Sequence, residues 1–219
     1  MPRRKEPLVT DEIYHVFNRG IDKRPTFTDR REFLRAVETL RFYKLINPPA
    51  KLSLFLRSQL YKEVTITDKR NFVEVLAFCF MPNHFHFLLK QSADDGVSKF
   101  MRNFLNSYTK YFNTKHERTG PLFLGQFKAV RMEADEQLLH VSRYIHLNPY
   151  TSYVVKEIKD LGDYEWSSFR DYLGKSDDGI CMKKTLLSLA GGAQLYKQFV
   201  FNRGDYQRKL KEIEHLILE

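Results

Sequence analysis

Cysteine is nearly absent: two in 219 residues, Cys79 and Cys181. They are too few and too far apart for a disulfide framework or a cysteine zinc cluster, so a reducing compartment, the cytoplasm, is the expected location. Long hydrophobic runs are missing too. None approaches the roughly 20 residues of a spanning helix, and no membrane partner is expected. The start, Met1-Pro2-Arg3-Arg4-Lys5, leads into charged and polar residues rather than an apolar signal core. Repeats and low-complexity tracts are lacking. Acids are in deficit: 27 Asp and Glu stand against 36 Lys and Arg, a formal charge of +9. Such an excess points to a polyanion, and with membranes set aside that is nucleic acid. What the chain does have, 42% hydrophobic and 14% aromatic residues, suffices for one sizeable core with an appendage.

Periodicity orders the elements. Ile13 to Gly20 is β-rich and ends at glycine, with Asp22 and Pro25 beyond. Thr28 or Asp29 can cap a helix whose apolar residues Phe33, Leu34, Val37, Leu40, Phe42 and Leu45 recur at helical spacing until Asn47-Pro48-Pro49. The charged, amphipathic stretch to Arg70 reads as an insertion holding a short helix around Leu52, Phe55 and Leu60. Asn71–Phe80 and His84–Lys90 read as strands joined by a tight Met81-Pro82-Asn83 turn. A long helix is predicted from Val97 to about His116, a fourth strand over Gln126–Met132, and a helix from Asp135 to Asn148, ended by Pro149. Strand, helix, strand, strand, helix, strand is the ferredoxin-like order: an α+β, βαββαβ core with an antiparallel sheet, two helices on one face, and the last helix left to cover the other.

Within the third strand, Phe80-Met81-Pro82-Asn83-His84-Phe85-His86-Phe87 places two imidazoles two residues apart. In an extended chain they share one face while Phe85 and Phe87 take the other. Two imidazoles on one rigid strand can hold a divalent ion with positions left open; half-exposed strand histidines without a ligand are the plainer reading. In the later helix, Leu138-Leu139-His140-Val141-Ser142-Arg143-Tyr144-Ile145-His146-Leu147-Asn148-Pro149, Tyr144 and Asn148 project from one face, with His140 a turn earlier. A phenol beside a polarised phosphate can attack phosphorus, and the Asn148 amide oxygen suits a hard ion such as Mg2+ or Mn2+. Ordinary packing is the competing reading for a tyrosine in an aromatic helix.

Tyr14-His15-Val16, Asn18-Arg19-Gly20, Met81-Pro82-Asn83-His84-Phe85-His86, Arg143-Tyr144-Ile145-His146-Leu147-Asn148-Pro149 and Trp166-Ser167-Ser168, in that order, resemble the REP-associated tyrosine transposases, relatives of the single-tyrosine insertion-sequence transposases in the HUH endonuclease superfamily. The resemblance covers roughly residues 10 to 175 and implies a ferredoxin-like core. It implies a divalent metal on His84 and His86, with Asn148 as third ligand. Tyr144 would be the nucleophile that cuts one DNA strand and keeps the 5′ phosphate. The implied substrate is single-stranded or hairpin DNA, and the protein acts as a monomer or homodimer. The chain departs from the pattern in the length of 48–70 and in Tyr150-Thr151-Ser152 after Asn-Pro. Residues 1–175 are thus read as the transposase domain, with 48–70 inserted, and 176–219 as a helical extension.

Between Lys99 and Arg131 the cations Lys99, Arg102, Lys110, Lys115, Arg118, Lys128 and Arg131 meet one acid, Glu117. Arg102, Lys110, Lys128 and Arg131 are candidate phosphate contacts, and replacing Lys110 or Lys128 is expected to weaken binding of every sequence alike. Arg19 and Arg24 are candidates for hairpin contacts. His15, His116 and His215 read as structural, His146 as facing away from Tyr144, Asn83 as a turn former and Trp166 as a packing anchor. Two other classes stay open: a non-catalytic single-strand-binding module of the same fold, and a metal phosphodiesterase that uses water.

Overall fold

The computed structural model describes residues 7–48, 51–57 and 70–209. Four strands, β1 (Ile13–Arg19), β2 (Val73–Met81), β3 (His84–Gln91) and β4 (Lys128–Arg131), form one antiparallel sheet in the order β2-β3-β1-β4. This is the arrangement expected of the ferredoxin-like core. Helices α1 (Arg30–Tyr43) and α3 (Gly96–Lys115) cover one face, where Val16, Phe78, Phe80, Phe85 and Phe87 pack against Phe33, Leu40, Phe100 and Phe104. Burying aromatic area on this scale, with rings edge-on or stacked 4.5 to 6.4 Å apart, is what holds the layer.

A cap explains where α1 starts. Asp29 accepts from the Glu32 amide at 3.0 Å, and Glu32 reaches back past the cap to accept from the Thr28 amide at 2.6 Å, a variant of the capping box. The fully buried Glu32 carboxylate also binds Lys115 and His116, each at 2.6 Å, so the end of α3 is tied to the start of α1. Burial raises its pKa, but these bonds outweigh that and hold the carboxyl below its ordinary range. His116 is structural, as expected.

The other face of the sheet receives α4 (Asp135–Thr151), which lies over β2 and β3. Its end is a correction. Pro149 sits inside the helix instead of stopping it after Asn148. Proline removes one backbone donor, yet the extra turn buries Tyr150 and Thr151, and the Tyr150 hydroxyl bonds Asp205 at 2.5 Å. The fourth strand is shorter than expected because it is an exposed sheet edge paired only to β1.

Residues 166–168 lie along the other edge, with Phe80 N on Trp166 O and Ser168 N on Phe78 O at 2.9 and 3.0 Å. This covers backbone groups of β2 that would otherwise stay unpaired. Trp166 stacks on Phe33 with ring centres 4.9 Å apart. The C-terminal helices α5 (Phe169–Tyr172), α6 (Lys184–Ala190) and α7 (Ala193–Phe201) share a buried cluster with α4 through Phe169, Leu186, Tyr196 and Val200. Of the stretch 48–70, α2 (Leu52–Arg57) packs Leu52 and Phe55 on Phe42. Leu60 and His215 lie outside the described residues.

Candidate active site and basic surfaces

Strand register decides which side chains meet. Paired residues point to the same face, so β1–β3 pairing sets Arg19 beside His84, Phe17 beside His86 and His15 beside Leu88. β4 adds Lys128 beside Phe17 and Val130 beside His15. On the other flank Met81 and Cys79 neighbour His84 and His86. Because α4 covers β2 and β3, the β1–β4 half of this face is more open: Lys128 and Val130 are exposed, Phe17 and His15 half-buried.

The two imidazoles of the third strand are on this one face, their ring centres 5.1 Å apart and perpendicular. Tyr144 comes down from α4 with 40% of its surface exposed, its ring edge-on to His86 at 5.3 Å. One turn later Asn148, fully buried, brings Oδ1 to 3.3 Å from His84 Nε2, while its Nδ2 is buried without a hydrogen-bond partner. The structure therefore brings His84, His86, Tyr144 and Asn148 together.

Asn83 does more than turn the chain. Its Nδ2 donates to Lys23 O at 3.1 Å, which leaves Oδ1 facing His84 Nδ1 at 2.7 Å. An oxygen there requires Nδ1 to carry the proton, so Nε2 of a neutral His84 presents a lone pair toward another acceptor, Asn148 Oδ1. Two acceptors 3.3 Å apart are reconciled by a proton, by a cation, or by turning the Asn148 amide so that Nδ2 donates to His84. The position of Asn83, directly before the histidine in a two-residue turn, was the available signal for this role.

His15 corrects the expectation that it is only structural. Its Nε2 lies 2.9 Å from His86 Nδ1, and its ring stands 6.0 Å from that of Tyr144. Burial lowers its pKa to about 4, so it is neutral at pH 7. A neutral His15 that accepts from His86 leaves His86 Nε2 as the atom with the lone pair, the way a second histidine orients a metal ligand. Its odd-numbered place in β1 set the face; only the pairing of β1 to β3 set the neighbour.

His146 faces away, as read from the sequence. It is fully buried and bonds Ser168 Oγ at 2.9 Å and the Tyr196 hydroxyl at 2.8 Å, and burial lowers its pKa to about 3. This network pins α4, and with it Tyr144, to the sheet and to α7. His140 is exposed near Glu136, 3.9 Å away.

The six basic candidates do not form one footprint. Arg19 and Lys128 are exposed on the face of the histidine pair. Arg102 and Lys110 are exposed on α3, across the sheet from it. Arg24 pairs with Asp22 at 3.1 Å, and Arg131 grips Glu12 at 2.5 and 3.1 Å, which offsets much of its charge. Lys115 is committed to Asp29 and Glu32, and Arg118 to Asn113 and the Pro121 carbonyl. Among the described residues, no cluster of three or more His, Cys, Asp or Glu side chains could hold a metal, and no helix is long and apolar enough to cross a membrane.

Comparison with known proteins follows the same line. No curated protein matches the chain. A solved structure of a REP-associated tyrosine transposase bound to a REP hairpin is similar at 14% identity and a TM-score of 0.48, over 83% of this chain and 97% of that one. A family model agrees with the resemblance read from the motifs. Residues 53–148, the stretch that holds the histidine pair, the tyrosine and Asn148, match the family of IS200-like transposases, which are DNA-processing proteins.

Proposed function

We propose that this protein is a metal-dependent single-strand DNA endonuclease and strand transferase that cuts and rejoins single-stranded or hairpin DNA through a 5′-phosphotyrosine on Tyr144. One observation carries the reading. A partly exposed phenol has its ring centre 5.3 Å from that of His86, in a site where the His84 imidazole and the Asn148 amide face each other at 3.3 Å. His84, His86 and Asn148 would hold a divalent cation, Mg2+ or Mn2+: the amide oxygen suits either, and the two imidazoles suit the softer Mn2+ better than Mg2+. Bound there, the ion supplies charge neutralisation at a scissile phosphate.

The chain's own residues do the rest. Asn83 holds His84 in the tautomer that exposes Nε2, and His15 does the same for His86 where its Nε2 accepts from His86 Nδ1. The His146 network holds α4 so that Tyr144 stays in reach of the sheet. The Tyr144 oxygen forms a bond to phosphorus as the bond to the 3′ oxygen breaks; the phenol proton is lost and the leaving 3′ oxygen gains one. The ester is conserved, so a second 3′ hydroxyl reverses the step without a nucleotide cofactor. A single strand suits the site, because its backbone can bend into the gap between β3 and α4.

Incubation of the full chain with a labelled hairpin oligonucleotide and Mn2+, followed by a denaturing gel, tests this. A denaturation-resistant adduct is expected, lost in Tyr144→Phe. Cutting by Tyr144→Phe at the wild-type rate would leave a water-using phosphodiesterase, and binding without any cutting would leave a binding module. Calorimetry with Mn2+ reads the metal separately, with weaker binding expected in His84→Ala and His86→Ala.

A further inference from the structure

A cleft of about 500 Å³ opens between α4 and the C-terminal segment, lined by His140, Arg143, Phe199, Arg203, Tyr206 and Gln207. Arg143, although only 8% exposed, is incompletely bonded. Its guanidinium lies 4.2 Å from the centre of the Phe199 ring, and one terminal nitrogen reaches the Phe199 carbonyl at 3.5 Å. Its Nε is buried with no partner. A buried guanidinium N–H without a protein acceptor is costly, so the cleft favours an added acceptor such as an anion.

The surroundings agree. Burial and then the charge of Arg203 both lower the Arg143 pKa, which means two cations stand close enough to repel. Among the described residues no carboxylate forms a salt bridge with either guanidinium, and no acid lines the cleft. The 56%-exposed Tyr206 ring offers a stacking surface, and the buried Gln207 Oε1, also unpartnered, offers an acceptor to a base amine. A buried arginine with an unpartnered N–H, an exposed second arginine 5.6 Å from the Tyr206 ring centre, that aromatic ring and a lone amide oxygen together match one nucleotide unit better than a bare anion.

Position links the cleft to the tyrosine. His140, which lines the cleft, stands four residues before Tyr144 on the same helical stripe, about 6 Å along the axis. We propose that this cleft seats a phosphodiester and its adjacent base from the strand held at Tyr144, so that the C-terminal segment is part of the nucleic-acid site. The link to a held strand rests on the function proposed above; the affinity of the cleft for a phosphodiester does not. Free orthophosphate shares the chemistry, and the test separates the two.

Side-chain NMR of the full chain follows the Arg143 Nε–H signal, assigned by its loss in Arg143→Lys, while a single-stranded hexanucleotide or sodium phosphate is added. The signal is expected to move with the hexanucleotide at concentrations where phosphate leaves it still. Arg203→Gln is expected to weaken hexanucleotide binding about tenfold and to reduce its salt slope by about one. A signal that ignores the hexanucleotide, or moves only with phosphate, overturns the proposal. So does an equal loss from Arg31→Gln, which removes a charge on α1 across the sheet. The adduct gel is read alongside: a responsive cleft in a protein that forms no adduct supports the phosphodiester site and sinks the tyrosine chemistry instead.

Discussion

Replacing His146 by Gln should make the protein less sensitive to acid, by an amount the structure sets. His146 is fully buried between Ser168 and Tyr196, and burial lowers its pKa from 6.5 to about 3. In the unfolded chain it takes a proton near pH 6.5, whereas the folded protein refuses it until about pH 3. Folding therefore keeps its full contribution from this group above pH 6.5 and loses it as the pH falls. Between pH 7 and 4.5 the loss from this one side chain is about 2.5 kcal/mol, at 1.36 kcal/mol per unit. Other groups, Glu32 among them, add their own acid dependence, so the comparison must be with the variant. Urea unfolding of wild type and His146→Gln at both pH values gives four free energies, and their double difference isolates the histidine. The variant is expected to be less stable at pH 7, because a fitted ring is lost, yet to lose about 2.5 kcal/mol less on acidification. Equal losses in the two proteins would mean that the buried ring titrates normally, and the account of how α4 is pinned would fail.

Three further outcomes follow from packing and placement. Phe85→Ala removes a fully buried ring that contacts Phe87, Phe104 and Phe123, and should cost about 3–5 kcal/mol in denaturant unfolding, against under 1 kcal/mol for a surface change. Gly96→Ala puts a methyl 2.2 Å from the Phe72 carbonyl oxygen, so it should lower stability by about 1–3 kcal/mol; an unchanged midpoint would show that the start of α3 can shift. Lys128→Gln should weaken binding of a short single strand and lower the salt slope by about one, while Lys110→Gln, across the sheet, should do neither with an oligonucleotide too short to wrap around; salt-dependent anisotropy checks both, and equal effects would argue for one continuous basic surface.

Local pattern carried much of the fold. The period-two face that joins His84 to His86, the helical spacing through α1 and α3, and the Tyr144–Asn148 step of four are all properties of neighbouring residues, and the chain realises them. Errors came where distant burial outweighed a local rule. Pro149 is a helix stop by its chemistry, but the helix runs on through it, where Tyr150 is buried and bonds Asp205 and Arg208 of the C-terminal segment, contacts that offset the lost hydrogen bond. The basic run from Lys99 to Arg131 is continuous in sequence, yet α3 covers one face of the sheet while Lys128 of β4 points from the other, and Lys115, Arg118 and Arg131 are held by partners.

From the sequence alone came the order of elements, the family resemblance, and the three residue types that a phosphotyrosine site needs. Tertiary structure alone decided that His15 meets His86, that Asn83 sets the proton of His84, and that Arg143 opens into a cleft built with Arg203 and Tyr206. The reason is one of range. Backbone periodicity is settled within a few residues, whereas His15 and His86 are 71 apart and meet through a strand register that the burial of the whole core selects.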